Sequence, residues 1–163
     1  MIRRLVSADF GTILRVVNEA AVAYKGIIPD DRWKDPYMAD VELREEIASG
    51  VAFYGYEENE EVIGVMGIQK ARVVTLIRHA YVLTRHQRRG IGARLLRQLR
   101  TLAETSVILV GTWEAACWAV RFYEKHGFKL TSREETNRLL REYWNIPERQ
   151  VETSVVLKLE THS

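Results

Sequence analysis

The chain has 163 residues, 47% hydrophobic and 28% charged, with a formal net charge of +2. That length suits one globular domain over residues 1–163 with a sizeable core. No stretch is apolar for long enough to cross a bilayer, and the single Cys117 excludes an intramolecular disulfide.

A reducing cytoplasm is the expected compartment. Met1-Ile2-Arg3-Arg4 runs straight into polar Ser7-Ala8-Asp9, so no secretory leader is expected either. In chain order, residues 2–6 read as a short strand. Asp9 reads as the cap of a helix to about Tyr24, with Ile13, Leu14, Val16, Val17 and Ala20 on its apolar side. Residues 23–38 contain Gly26, Pro29 and Pro36 and read as a loop that carries Tyr24, Trp33 and Tyr37. Large aromatics on a loop suit either satellite packing or a binding wall, and Trp33 and Tyr37 are candidate substrate-binding residues. Asp40 opens a second helix, 41–48, that Gly50 ends. Strands at 51–56, 61–69 and 73–83, joined by polar turns at 57–60 and 70–72, form an antiparallel meander.

The last of these strands runs into Arg85-His86-Gln87-Arg88-Arg89-Gly90-Ile91-Gly92-Ala93. Beyond it, Leu95, Leu96, Leu99 and Leu102 share one helical face. A strand, a basic loop with two glycines and a helix start make a cradle for an anion. The first-turn N–H groups lack helical partners, and the helix dipole adds positive potential there. Gly90 and Gly92 let the backbone curl and approach a phosphate closely. Charge distribution agrees, because no acidic residue lies between Glu61 and Glu104 while basic residues run from Lys70 to Arg100. Gly92 is followed by Ala93-Arg94, so the loop lacks the Lys-Ser/Thr of nucleoside triphosphate loops. It also lacks the third glycine of dinucleotide loops. Nucleic acid is the competing anion, but the basic residues flank one phosphate-sized loop without an interleaved aromatic platform, so no nucleic-acid partner is expected.

Residues 106–110 form a buried strand, 115–126 a helix stopped by Gly127, and 128–130 a short return. Ser132-Arg133-Glu134-Glu135 has the form of a capping box for a helix to about Trp144. The alternating run 151–159 closes the chain as a final strand.

The pattern Gln87-x-x-Gly90-x-Gly92, the segment Ala119-Val120-Arg121-Phe122-Tyr123-Glu124-Lys125-His126-Gly127-Phe128 and the order of elements together resemble the GCN5-related N-acetyltransferase (GNAT) family. The resemblance implies an α/β fold with a mixed, mostly antiparallel sheet of about seven strands. It places helices on both faces and splays the central strands apart beyond Val82 and Val110. It implies acetyl-CoA as donor substrate and no metal. The phosphates would sit on Gln87, Arg88, Arg89, Gly90, Ile91, Gly92 and Ala93, and the pantetheine arm along Tyr81, Val82 and Leu83. Tyr123 would protonate the leaving thiolate as the amine attacks the thioester directly through a tetrahedral intermediate (EC 2.3.1.-).

Two features depart from the family pattern. Ala116 stands where an asparagine is frequent, and Leu76, Arg78 and Gly111 stand where a strand base is frequent. His79 and Glu114 are the candidate bases. Strand alternation puts His79 on the face opposite Arg78 unless a bulge intervenes. Arg78 is a candidate for holding a substrate carboxylate, and Cys117 reads as a small buried hydrophobe. The acceptor is read as a small-molecule or peptide amine, in a pocket walled by the aromatic loop and residues 141–144. A CoA-binding sensor or interaction module without turnover is the alternative. No membrane partner is expected, and homodimerisation through the final strand or a sheet edge is left open.

Overall fold

Seven strands form one sheet in the computed structural model, which describes residues 1–161. They are β1 (Ile2–Arg4), β2 (Ala52–Glu58), β3 (Glu61–Ala71), β4 (Val74–Val82), β5 (Val107–Trp113), β6 (Lys129–Leu130) and β7 (Ser154–Glu160). Their spatial order is β1-β2-β3-β4-β5-β7-β6. Every neighbouring pair is antiparallel except β4 with β5. Among the described residues six α-helices accompany the sheet: α1 (Phe10–Ala21), α2 (Asp40–Ala48), α3 (Ile91–Leu102), α4 (Cys117–Lys125), α5 (Arg133–Tyr143) and α6 (Glu148–Glu152).

Alternation along the central strands divides the core between the two faces of the sheet. Ile77, Ile108, Val110, Val155 and Leu157 join the larger cluster, with Leu95, Leu96 and Leu99 of α3. Their neighbours Leu76, Leu109 and Val156 point the other way, under Leu139 and Leu140 of α5 and Val151 of α6. Leu95, Leu96 and Leu99 of α3 are buried on one side and its arginines are exposed, as the leucine spacing predicts, whereas Leu102, at the helix end, is exposed.

Two irregularities shape β4. Its pairing with β5 covers only Thr75–Ile77 against Ile108–Val110, so the strands part after Ile77 and not after Val82. Residues 78–82 keep β3 on one side and face a gap on the other. The second is a bulge. Val65 pairs with Tyr81 and Gly67 with Arg78, so His79 and Ala80 oppose the single residue Met66. His79 takes φ +53°, a left-handed conformation rare for a bulky side chain.

Several local expectations shift. The Asp9 carboxylate accepts from the Val6 N–H at 2.7 Å and from Arg3 at 3.0 Å, so it ties down the chain before α1 and does not cap that helix. β1 stops at Arg4 and α1 at Ala21, where a tight turn over Val22–Tyr24 takes over. Residues 148–152 form α6 after Pro147, so the final strand begins at Ser154; a single helical turn is too short to break an alternating apolar pattern. Ser132 Oγ accepts from Glu135 N–H at 3.1 Å, the forward half of the capping box. The final strand is hydrogen-bonded on both sides, to β5 and to β6, so the sheet's edges are β1 and β6. Cys117 is exposed at the start of α4, not buried.

Candidate functional site

Where β4 leaves β5, two cavities meet. The first, of about 470 Å³, lies between the end of β4, the N-terminus of α3 and the face of α4. Gln87, Arg88, Gly90, Ile91, Gly92 and Ala93 form its floor, and Tyr81 and Val82 its inner wall. The first helical N–H with a backbone partner is that of Arg94, which bonds the Gly90 carbonyl at 3.0 Å. The N–H groups of Ile91, Gly92 and Ala93 are left for an anion. Gly90 holds φ +78°, the left-handed turn that aims them, and a Cβ there would meet nothing within 4 Å. Its glycine is required by conformation, not by space.

The loop's other side chains divide the work. Gln87 Nε2 donates to the Val82 carbonyl at 3.2 Å, bracing the loop against β4. Arg89 bonds Glu58 at 2.6 Å and Arg85 pairs with Glu61, tying the loop to the β2–β3 hairpin. Leu83 is buried outside the cavity, its N–H on the Ile63 carbonyl at 2.9 Å. Lys125 and His126, at the far end of α4, line the same cavity, and Lys125 adds positive potential that the loop motif does not announce. Burial, with the charges of Lys125, Arg97 and Arg100, holds the His126 imidazole below its usual pKa.

The second cavity, of about 540 Å³, opens on the other side of the gap. Tyr24, Ala80, Tyr81, Ala119 and Tyr123 line both, so the two cavities share a wall at the gap. Tyr123 is 5% exposed, between the rings of Phe122 and Phe128. Burial, with a smaller contribution from Tyr24, raises its pKa well above the ordinary phenol value, so its hydroxyl keeps its proton.

The bulge gathers charge on this second cavity. With His79 turned out of alternation, Arg78 and His79 both reach Glu46 of α2. Arg78 Nη2 donates to Oε1 at 3.2 Å, and His79 Nε2 contacts Oε2. All three side chains are about 15% exposed. Burial alone would push the Glu46 carboxyl up, but the bond and charge of His79 and the charge of Arg78 together hold it below its usual pKa. Arg78 also donates to Gln69 Oε1 at 3.2 Å, so its guanidinium is committed within the protein.

Tyr37 lines the second cavity and accepts a 2.7 Å bond from Trp113 Nε1. Trp33 stacks on Tyr37 at 5.7 Å, outside the lining. Glu114 stands apart from both cavities, exposed and 3.6 Å from Arg133. Trp144 does line the pocket, with its ring 3.2 Å from where a Gly111 Cβ would sit. Sequence reasoning missed Glu46 and Arg32, each brought to the cavity from a segment with no motif of its own. Among the described residues no cluster of three metal-ligating side chains occurs, and no helix is long and apolar enough to cross a membrane.

A family model described as an acetyltransferase (GNAT) domain matches residues 15–141. No curated protein matches the sequence. Among solved structures, the chain is similar to the PaiA N-acetyltransferase of Thermoplasma acidophilum in complex with coenzyme A. That match has a TM-score of 0.75 and 17% identity over 98% of each chain. It is also similar to a GNAT-family acetyltransferase of Staphylococcus aureus Mu50, with a TM-score of 0.76 and 15% identity over 99% of each chain. The ribosomal-protein-S18-alanine N-acetyltransferase of Escherichia coli matches with a TM-score of 0.73 and 14% identity, over 100% of this chain and 95% of that one.

Proposed function

The chain belongs to the GNAT acetyltransferase family, and from that premise we propose that it transfers an acetyl group from acetyl-CoA to a primary amine of a small molecule or peptide. The observation that carries this reading is Tyr123, a buried and protonated phenol on the wall shared by the two cavities. The 470 Å³ cavity suits the donor. Its free first-turn N–H groups and basic rim match phosphates, and the open flank of β4 over residues 78–82 offers backbone groups to an extended arm. The donor supplies an acyl thioester, and the acceptor occupies the 540 Å³ cavity.

The acceptor amine arrives mostly as an ammonium ion and must lose a proton before it attacks. His79 takes it. With Nε2 against Glu46, Nδ1 is the nitrogen left to accept, and the negative Glu46 stabilises the imidazolium that forms. The proton then passes to solvent. The nitrogen attacks the thioester carbonyl directly, the C–S bond breaks, and Tyr123 gives its proton to the departing thiolate. The second proton on the attacking nitrogen restores Tyr123, so one amide, one thiol and one released proton result. The same reading has the chain act in the cytoplasm as one domain, without metal, nucleic acid or membrane.

Free-thiol release from acetyl-CoA is measured across a panel of amines. Amine-dependent release that Tyr123→Phe abolishes is the expected result. The second reading, a CoA-binding sensor without turnover, is favoured by Ala116 and by the lack of a strand carboxylate. It predicts tight CoA binding, no release with any amine and no effect of Tyr123→Phe.

A further inference from the structure

Three buried side-chain polar atoms among the described residues make no hydrogen bond of regular geometry: Arg32 Nε, Glu46 Oε2 and His79 Nε2. All three belong to residues lining the 540 Å³ cavity. Glu46 and His79 are in contact with each other. Arg32 is different, because its guanidinium makes no salt bridge with any described residue while its Nε is shut away from water. A buried donor left without an acceptor is costly, and in native proteins such a group asks for a partner.

The cavity's other cations are already committed. Lys34 pairs with Glu42 at 2.8 Å, and Arg78 is spent on Glu46 and Gln69. Arg32 is also held in place. It closes the tight turn Asp30–Arg32, its N–H bonds the Pro29 carbonyl at 2.8 Å, and Asp31 beside it is bound by Arg149 of α6 at 3.0 Å. Gln150, next to Arg149, lines the same cavity. On the α2 wall, Glu45 has no salt-bridge partner among the described residues and Glu46 backs His79. One wall therefore presents an unpaired cation and another presents carboxylates.

We propose that the acceptor is an amine that also carries a carboxylate, an amino-acid-like zwitterion, with Arg32 clasping the carboxylate while the amine turns toward His79 and Glu46. A planar guanidinium matches a carboxylate with two parallel bonds, which fixes orientation as well as charge. This rests on the acetyl-transfer reading and narrows it: Arg32, not Arg78, selects the substrate.

The test is the ratio of kcat/KM within matched pairs that differ by one carboxylate: phenylalanine against phenethylamine, tryptophan against tryptamine, lysine against cadaverine. Wild type favours the carboxylated member by a factor on the order of 10 to 100, the value of one charge-assisted pair. Arg32→Gln brings the ratio close to one, and Arg32→Lys keeps part of it. A wild-type ratio at or below one, or a ratio that Arg32→Gln leaves intact, overturns the proposal while acetyl transfer stands. If no pair is turned over, acetyl transfer fails, and calorimetry on CoA-loaded protein decides the Arg32 question. Binding of the amino acid over its amine, lost in Arg32→Gln, supports the site, and equal or absent binding overturns it.

Discussion

At Glu46 one carboxylate meets a guanidinium and an imidazole that ordinary strand geometry would have placed on opposite faces. Because its pKa is lower in the folded chain than in the unfolded one, its stabilisation is complete above the usual glutamate range and is lost as pH falls through the folded value. Urea midpoints at pH 7 and pH 4 should therefore fall further for wild type than for Glu46→Gln, whose side chain does not titrate. An equal fall would place the acid-sensitive groups elsewhere. Tyr123→Phe keeps the ring between Phe122 and Phe128, so its melting temperature should stay close to wild type while activity drops. Tyr123 was legible as a candidate, because alanine, tyrosine and the glycine-phenylalanine stop share one ten-residue stretch. Glu46 and Arg32 were not. They reach His79's cavity from segments more than 30 residues away, and no local spacing encodes that meeting.

Two elements shape the candidate site, the bulged β4 and the capless α3. The bulge depends on Gly67, where an added Cβ would fall 3.0 Å from the Arg78 carbonyl and 2.9 Å from Val51 Cγ1. The carbonyl is backbone and cannot step aside, so Gly67→Ala should destabilise by about 1–3 kcal/mol and disturb the Arg78–Glu46 pair. Denaturant unfolding measures the first effect. Gly90→Ala meets no steric obstacle but must hold φ +78°, a strain of about 1–2 kcal/mol for a residue with a side chain. It should lower the melting temperature and weaken CoA binding in calorimetry. Strand and helix identities followed from periodicity, whereas the parting of β4 from β5 did not. Apolar character continues through Val82, and only pairing partners reveal that β5 departs at Val110. Likewise, alternation alone gives His79 the wrong face, because a bulge is a fact about two strands and not one.

At the scale of the whole molecule, the sheet opens in its middle, and two cavities of different character adjoin there across a shared wall. The arginine-rich middle of the sequence suggested an anion site. In the structure Arg85 and Arg89 are engaged by Glu61 and Glu58, so the donor site proposed there would rest on backbone N–H groups more than on these two side chains. CoA at 100 times its Kd should stabilise the fold by about 2.7 kcal/mol and raise the melting temperature by roughly 5–10 °C. No shift would argue against the 470 Å³ cavity as the donor site. The central claim is that donor and acceptor meet across Tyr123 without a covalent enzyme intermediate. Initial rates of thiol release, with acetyl-CoA and acceptor varied together, test it most directly. Intersecting double-reciprocal lines are expected, with kcat lowered in Tyr123→Phe on the order of 10²–10⁴-fold. Parallel lines, or a Tyr123→Phe variant as fast as wild type, would contradict it.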